Sequence, residues 1–216
     1  MHLKRQKVPK TWPIPRKGTK YVVRASRSLT KSLPILIILR DILKLAENRK
    51  EVKKAIGQKS ILLNGKPVRD EKTSIALFDV IEILPLKKSY RLGISEKGKF
   101  QIEEINQKEK DFKIAKIIGK KILRGKKTQI NLEDGNNFLY EKPCKVNDSA
   151  VINLKKRKIE KILPLKEKRK ILVTSGKHAG MEGTIKKVKK EEKMVEVESK
   201  KGETKNVLIK HVLVVE

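Results

Sequence analysis

The chain of 216 residues is strongly basic: 55 lysines and arginines stand against 25 aspartates and glutamates, a formal net charge of +30. A charge of this size would repel itself in a compact monomer, so the composition predicts a polyanionic partner. The length is enough for one large domain or for about two to three small ones. A single cysteine, Cys144, excludes an internal disulfide, and no Cys/His cluster has zinc-ligand spacing. We therefore expect a reducing compartment, no metal and no cofactor.

No stretch of the sequence predicts membrane insertion. The longest apolar run, Leu36 to Leu39 with its neighbours, is far shorter than the ~20 residues that cross a bilayer. The N-terminus lacks the apolar core of a signal peptide. A basic, acid-free N-terminus would suit an organelle transit peptide, but Pro9, Pro13 and Pro15 would break the amphipathic helix that such peptides form. We expect a cytoplasmic protein.

Residues 1–32 are predicted to form a basic extended arm. The segment holds ten basic residues and no acidic one, with three prolines and few aliphatic side chains. Such a composition buries too little apolar surface to fold alone, so we expect RNA to order it. Trp12, set among cations, suits stacking on an exposed base. The alternative is a basic tail whose Trp12 docks on its own domain.

Residues 33–86 begin with a predicted helix. Apolar residues recur at helical spacing between Leu36 and Ala46, while basic residues lie on another face. Ser32 is predicted as the N-cap and Pro34 as a residue of the first turn, where a missing N–H costs least.

A second helix, a hairpin and a strand are predicted to follow. Residues 49–56 have apolar side chains on one side and cations on the other, and Gly57 is predicted to end this helix. Asn64-Gly65 predicts a tight hairpin turn, because this pair tolerates positive φ. The alternation over residues 79–83 predicts a closing strand.

After Leu84-Pro85-Leu86 the pattern changes from helical to strand-like, which predicts a domain boundary. A hairpin is predicted around residues 95–99. We expect residues 87–168 to form a central β domain, a small barrel or sandwich. The predicted strand segments are 90–94, 100–105, 112–118, 121–123, 128–132, 138–140, 150–154 and 159–163.

Residues 169–216 are predicted to form a last β domain after a second boundary at Pro164-Leu165. Gly176, Gly180 and Gly183 lie between two predicted strands. Three glycines so close together let a loop adopt conformations closed to other residues and let a partner approach its backbone.

The helices, the hairpin and the closing strand resemble the small S-four RNA-binding module. Lys59 and Phe78 stand where that module usually has glycine. The resemblance implies a helix pair whose basic face lies against folded RNA. The residue types alone are equally compatible with an ordinary helical surface covered by solvated lysines. The matching residues are Leu39, Arg40, Asp41, Leu43, Arg49, Ile56, Ile61, Leu63-Asn64-Gly65 and Asp79-Val80-Ile81.

The glycine loop between two strands resembles a KOW motif, the signature of a small SH3-like barrel in RNA-binding translation and transcription proteins. The lysine-rich stretch from Lys186 to Lys193 departs from that pattern. A basic arm, an S-four module, a β domain and a KOW barrel in this order resemble the e-type small-subunit ribosomal protein four, shared by archaeal and eukaryotic ribosomes. The short length favours the archaeal type. Supporting strings are His2-Leu3-Lys4-Arg5, Ser32-Leu33-Pro34, Phe78 to Ile83, Leu132 to Asn137 and Thr174 to Gly180.

The resemblance implies an α+β, multi-domain fold. It has the arm (1–32), an S-four-like RNA-binding domain of helices and hairpin (33–86), the central β domain (87–168) and a C-terminal SH3-like β barrel with the KOW motif (169–216). It also implies a structural constituent of the small ribosomal subunit that binds and stabilises folded rRNA through basic surfaces on all modules. The implied partners are small-subunit rRNA and neighbouring small-subunit proteins, with no membrane and no small-molecule substrate.

The residue types assign phosphate contacts to cations of the arm and of the helix pair, and backbone contacts to the glycine loop. The predicted RNA-binding residues are Lys4, Arg5, Lys7, Lys10, Trp12, Arg16, Lys17, Lys20, Arg24, Arg27, Lys31, Arg40, Lys44, Arg49, Lys50, Lys53, Gly176, Lys177, His178 and Gly180.

Two other classes of protein stay open. S-four modules also accompany RNA-modifying enzymes and tRNA synthetases, but His2, His178 and His211 have no visible catalytic partner, and Cys144 is predicted to be a packed thiol. We therefore expect no enzyme activity. The second class is a KOW-type factor associated with ribosomes or transcription, which substoichiometric and salt-labile ribosome association would favour.

Overall fold

The computed structural model describes residues 2–189, 191–199 and 202–215 and is mostly β. The chain divides into two compact units. The first comprises residues 1–94 and 99–111, and the second comprises residues 95–98 and 112–216. Antiparallel sheets form the frame of each unit. Lys190, within the lysine-rich stretch noted above, lies outside the described residues.

The first unit combines two small two-stranded sheets with a five-stranded sheet. The strands are β1 (Leu3–Lys4), β2 (Tyr21–Val22), β3 (Ser32–Pro34), β4 (Ile61–Leu63), β5 (Lys66–Pro67), β6 (Ser74–Ala76), β7 (Val80–Ile83), β8 (Lys88–Ile94) and β9 (Phe100–Ile105). The pairs are β1–β2 and β3–β6, and the larger sheet has the order β5-β4-β7-β8-β9. The helices are α1 (Ile35–Ile37), which continues as a π-helical turn (Ile38–Ile42), and α2 (Arg49–Gly57).

The first predicted helix exists, but it begins later and ends earlier than predicted. Ser32 is not its N-cap: it starts β3, which pairs with β6, and its buried hydroxyl donates to the Ser28 carbonyl. The helix starts after Pro34 and is buried on all sides through Leu39. Pairing with a distant strand therefore overrides the local capping signal. Lys44, at φ +52°, follows the end of the helical turn.

The second helix is confirmed over Arg49–Gly57 and has a cap that was not predicted. The side chain of Asn48 accepts from the Glu51 backbone N–H at 3.1 Å, and Glu51 in return accepts from the Asn48 side chain and from the Glu47 N–H. This reciprocal arrangement satisfies donors that a helix start leaves free. Val52 and Ile56 pack into the core.

The Asn64-Gly65 hairpin is confirmed, and both residues have positive φ, 50° and 75°. The Asn64 side chain donates to Asp79 at 2.7 Å and accepts from the Val80 N–H at 2.9 Å. Asp79 also accepts from the Ala76 N–H. The segments 63–65 and 79–81 are therefore joined through Asn64 and Asp79, which fixes the turn against β7.

Lys59 and Phe78, which replace the glycines of the S-four pattern, both adopt left-handed backbone conformations, at φ +55° and +63°. Side chains in this region cost about 1 kcal/mol or more relative to glycine. The backbone therefore follows the path that glycine would favour, and the two side chains are strained by it.

The arm is not extended: it packs on the rest of the first unit. Leu3, Trp12 and Ala25 belong to the same buried cluster as the first helix. The Trp12 side chain is 2% exposed, and its Nε1 donates to the Leu29 carbonyl at 3.0 Å. The indole supplies the apolar area that the segment otherwise lacks, which is why the arm folds.

The boundary predicted after residue 86 falls inside the five-stranded sheet. Leu84–Leu86 form a 3-10 turn, after which β8 returns to pair with β7. The predicted hairpin around residues 95–99 is confirmed, with β8 and β9 as its strands. The leucine and proline residues at 84–86 mark a turn between paired strands.

The second unit contains two five-stranded antiparallel sheets. The strands are β10 (Phe112–Ile122), β11 (Thr128–Leu132), β12 (Asn137–Leu139), β13 (Ser149–Asn153), β14 (Lys158–Leu163), β15 (Lys170–Val173), β16 (Glu182–Lys189), β17 (Met194–Ser199), β18 (Thr204–Leu208) and β19 (Val212–Val214). The sheet orders are β12-β11-β10-β13-β14 and β18-β17-β16-β15-β19. The predicted pieces 112–118 and 121–123 are one strand, β10, with a register shift between Ile117 and Gly119.

Polar contacts join the two sheets of the second unit. Lys116 on β10 is 3% exposed, and its ammonium donates to the carbonyls of Ile209 and Val212, the latter at 2.9 Å. The Ser149 hydroxyl on β13 accepts from the Val214 N–H at 3.0 Å. Both contacts reach the turn and strand that close the second sheet, so β19 is held by side chains of the first sheet.

A buried ion pair fixes the turn between β11 and β12. Lys113 donates to Asp134 at 2.6 Å, with the two side chains 2% and 6% exposed. The Asn136 backbone and side-chain amides also donate to Asp134. Burial by itself raises the pKa of Asp134, but the Lys113 charge and the hydrogen bonds from Lys113 and Asn136 outweigh it together, so the pKa lies below its ordinary value.

Gly180 is required for close packing inside the second unit. It is buried at φ +86°, and a Cβ built on it would lie 1.8 Å from the Ser95 carbonyl oxygen. Its N–H donates to the Val173 carbonyl at 2.8 Å. The neighbouring Gly176, at φ +92°, is exposed and would bring a Cβ no nearer than 3.6 Å to the His211 ring. The two glycines therefore meet different constraints.

We expect Asp134→Asn to destabilise the chain by about 3 kcal/mol at neutral pH, because the buried Lys113 loses its counter-charge. Since the folded pKa of Asp134 is lowered, its contribution to stability is present above the ordinary value near 4 and is lost as pH falls through the folded value. The variant should therefore lose less stability than the parent between about pH 5 and pH 2. Urea unfolding at several pH values measures this. Glu160→Gln, at an exposed position, is the control; equal acid dependence of the parent and Asp134→Asn would contradict the assignment.

Gly180→Ala should cost about 3 kcal/mol or more in urea unfolding of the full chain, because the methyl group adds a backbone clash to the left-handed strain. Gly176→Ala, with the same strain and no clash, should cost about 1 kcal/mol. Equal losses in the two variants would mean that the Ser95 approach is unimportant.

Candidate nucleic-acid interface

Three groups of the predicted RNA-binding residues occupy defined surfaces. The arm surface consists of the cations of residues 4–31, and the helix surface consists of Arg49, Lys50 and Lys53 on α2. The glycine loop consists of residues 174–180. The first two belong to the first unit and the loop belongs to the second.

The arm surface presents most of its cations to solvent. β1 and β2 pair through Leu3↔Val22 and Lys4↔Tyr21, and this pairing folds the first part of the segment back on itself. Arg5 is partly buried. The exposed cations are Lys4, Lys7, Lys10, Arg16, Lys17, Lys20, Arg24, Arg27 and Lys31.

The prediction that Trp12 stacks on a base is wrong, because its ring is buried in the core. The aromatic ring that the arm does expose is Tyr21, whose side chain is 47% exposed. Lys20 Nζ lies 5.6 Å from the centre of this ring, and the His2 ring centre lies 5.3 Å away. An aromatic ring among cations therefore exists at the surface, but it is Tyr21 on β2 instead of the predicted Trp12.

Arg5 makes internal contacts as well as facing a cavity. Its Nε and Nη1 donate to the carbonyls of Thr19 and Pro15, both at 2.7 Å, and its Nη2 donates to the Thr19 hydroxyl at 2.8 Å. The guanidinium thus organises the loop between Pro15 and Lys20. The residues that line the cavity beside it are Lys4, Arg5, Gln6, Arg16, Lys17, Gly18, Thr19 and Lys20.

On the helix surface, Arg49 binds Glu71 in a forked ion pair. Arg49 Nε lies 2.8 Å from each Glu71 oxygen, and Nη2 donates to the same carboxylate. The hydrogen bond from Arg49 is the largest cause that lowers the pKa of Glu71; burial opposes it, and the charges of Arg49, Lys53 and Lys72 add to the lowering. The carboxylate is 2% exposed while Arg49 remains 53% exposed, so Arg49 both anchors the chain near residue 71 and faces solvent.

Lys50 and Lys53 are exposed on the outer side of α2. Arg40, by contrast, makes an ion pair with the adjacent Asp41 at 2.9 Å, which compensates part of its charge. Lys44 is exposed just after the first helix. The uncompensated charge of the helix pair is therefore concentrated on α2.

The glycine loop brings together Lys177, His178 and the C-terminal turn. Lys177 is exposed and makes no hydrogen bond or ion pair within the described residues, and His178 is half-buried. The Ser175 hydroxyl contacts Nδ1 of His211, and the Thr174 N–H and hydroxyl donate to the His211 carbonyl. The loop is therefore fixed at its base. Gly180 is covered by the turn at Ser95 and does not offer a free backbone surface.

Sequence reasoning missed the residues that shape these surfaces. Glu71, which holds Arg49, and Gly18 and Thr19, which surround Arg5, carry no charge pattern that would single them out. A glycine inside the run Arg16-Lys17-Gly18-Thr19-Lys20 was the available signal.

Within the ranges that the structure describes, no group of three or more His, Cys, Asp or Glu residues is gathered as metal ligands. Nor does any helix in those ranges combine the length and apolar character needed to cross a membrane.

Comparisons with known proteins agree with the resemblance found in the sequence. The profile of the family described as Ribosomal family S4e matches residues 86–159, and that of the RS4NT (NUC023) domain matches residues 1–27. A protein of Nanoarchaeum equitans named small ribosomal subunit protein eS4 is 38% identical over 191 residues, which cover 87% of this chain and 82% of the relative. A protein of the same name from Archaeoglobus fulgidus is 37% identical, covering 88% and 80%.

The fold also has a solved counterpart. The crystal structure of the 30S ribosomal protein S4e from Thermoplasma acidophilum matches with a TM-score of 0.74 and 28% identity, covering 86% of this chain and 95% of that one. Sequence and fold similarity thus extend over most of both chains. The chain belongs to the S4e family of ribosomal proteins.

Proposed function

We propose that this protein is a structural constituent of the small ribosomal subunit, where it binds and stabilises folded rRNA. The observation that carries the proposal is similarity to eS4 proteins over 87% of the chain. Exposed cations in both units support it, because a protein of charge +30 needs a polyanion to offset its self-repulsion. Such a protein acts in the cytoplasm, on the ribosome, beside other small-subunit proteins.

Binding rests on phosphate contacts. Each phosphate that a lysine or arginine neutralises releases condensed counterions, which gives affinity that falls with salt. Lys50 and Lys53 point away from the core on one face of α2, and Arg49 adds a forked donor held by Glu71. Because these groups sit on a helix packed through Val52 and Ile56, they offer RNA a rigid surface.

We also propose an assignment of RNA-binding modules within the two units. The two helices, the β4–β5 hairpin and β7 form an S-four-like RNA-binding module, and β15–β19 form an SH3-like barrel with a KOW loop at residues 174–180. The contact between Asn64 and Asp79 supports the first assignment, since it joins the two strings that carry the resemblance. The fixed base of the glycine loop, through Thr174 and Ser175, supports the second.

We infer that the protein is not an enzyme. Burial raises the pKa of the Cys144 thiol, so this thiol stays protonated at neutral pH and is a poor nucleophile. The alternative function is a KOW-type factor associated with ribosomes or transcription, and the glycine loop alone would suit either role.

Sedimentation of native extract through a high-salt sucrose gradient tests the proposed function. We expect one copy of the chain per small subunit after the wash, quantified against known subunit proteins. Release into the free fraction, or co-migration with RNA polymerase, would favour the accessory factor and sink the structural role.

Charge reversal on α2 tests the mechanism. We expect the double variant Lys50→Glu, Lys53→Glu to bind small-subunit rRNA at least tenfold more weakly. The slope of log affinity against log salt should fall by about two, since each lost phosphate contact removes ~0.9 from it. The matched control is Lys50→Arg, Lys53→Arg, which keeps both charges and should bind as the parent. An unchanged slope in the Glu variant would exclude α2 from the interface.

A further inference from the structure

The cavity beside Arg5 is large and entirely basic in its charged lining. Its volume is about 510 Å³, within the ~300–1,000 Å³ of sites that hold small molecules. The five cations around it are Lys4, Arg5, Arg16, Lys17 and Lys20, and no carboxylate lines it. We call this cavity the arm pocket. No Asp or Glu occurs in the first 40 residues, so the arm supplies no acid to neutralise it.

Arg5 is held in a fixed orientation without losing its charge. Its three hydrogen bonds go to two carbonyls and a hydroxyl, which are neutral acceptors. A guanidinium has five N–H donors, so two remain for a ligand. A positioned cation with donors left over is the arrangement that suits an oxyanion, because little side-chain entropy is lost when the anion binds.

Gly18 shapes the wall of the pocket. Its φ of +136° is open to glycine, and a Cβ on it would lie 3.1 Å from Arg5 Cζ and Nη2. The backbone at Gly18 therefore lies against the guanidinium, and a side chain at this position would be strained and would press on Arg5.

An exposed aromatic ring lies next to the pocket. Tyr21 pairs directly with Lys4 across β1 and β2, so both side chains project from the same face of this pair, and Lys4 lines the pocket. About half of the Tyr21 side chain is exposed. Base stacking on such a ring is tolerant of sequence and common in single-strand binding.

We propose that the arm pocket and Tyr21 together form a nucleotide subsite for a single-stranded RNA segment, with phosphate against Arg5 and a base on Tyr21. This inference rests on the proposed RNA-binding function and adds the class of RNA and the residues that meet it. Inorganic phosphates share the anion chemistry of the pocket, but they would make no use of Tyr21. The ring is therefore what distinguishes a nucleotide from a free phosphate compound.

Titration of the full chain with pyrophosphate and with the trinucleotide UpUpU tests the proposal, with the Nε–H NMR signal of Arg5 as the readout. The signal is assigned by its loss in Arg5→Lys. We expect both probes to shift it in the parent chain. Gly18→Ala keeps every charge but adds a methyl group against the Arg5 guanidinium. We expect this variant to bind both probes at least tenfold more weakly.

Tyr21→Leu separates the two ligand sources. This variant should bind UpUpU about tenfold more weakly and bind pyrophosphate with unchanged affinity, because only the nucleotide has a base that stacks on the ring. Lys66→Ala, which removes an exposed cation of the same unit outside the pocket, should change either affinity by less than threefold. If Gly18→Ala unfolds the arm, seen as solvent exposure of Trp12 by fluorescence, Thr19→Val replaces it, since it removes one acceptor from Arg5 without added bulk.

Each other outcome overturns the inference. Equal loss in Lys66→Ala and Gly18→Ala would mean non-specific attraction to the basic surface, and undiminished UpUpU binding in Tyr21→Leu would leave only a phosphate site. No shift of the Arg5 signal with either probe would remove the site altogether. The proposed function is judged separately by sedimentation of the parent chain: loss from small subunits with an intact Arg5 response would refute the ribosomal role and keep the pocket.

Discussion

Mutual repulsion among 55 cations is the constraint under which this chain folds. The acids that are buried in it serve internal contacts. Glu71 holds Arg49, Asp79 holds the Asn64 turn, and Asp134 holds Lys113. Asp148, also buried, accepts from the backbone N–H groups of Lys145 and Leu165. These carboxylates fix turns and loops, while lysines of the arm and of α2 face the solvent. The buried acids therefore stabilise the fold, and the exposed cations form the surface that RNA would contact.

Signals that depend on neighbouring residues predicted the fold well. The turn at Asn64-Gly65 and the α2 helix follow from backbone preference and local apolar spacing, and both are confirmed. Local signals failed where pairing with a distant strand decided the structure. Ser32 is a good N-cap residue, yet pairing with β6 places it in a strand, and the apparent linker at 84–86 is a turn between paired strands. A short sequence window cannot register such pairing.

The candidate interface was predictable as a charge distribution but not as a geometry. Exposed lysines at 50 and 53 lie where the helical pattern put them. Trp12 was assigned to RNA because its neighbours in sequence are cations, but burial of a large ring outweighs that context in a small core. Gly180 was assigned to a backbone contact with RNA, and its role is packing beneath Ser95. In each case a tertiary contact decided the outcome.

The buried position of Trp12 has a thermodynamic consequence. A disordered arm would bury its apolar surface only when RNA bound, and the heat capacity of the complex would drop accordingly. Here the indole, Leu3 and Ala25 are already in the core. Their apolar surface is therefore buried when the protein folds and not when RNA binds. Association then draws chiefly on ion release, whose free energy is largely entropic, and it carries a small heat-capacity change. Affinity governed in this way responds to the salt of the cell far more than to its temperature.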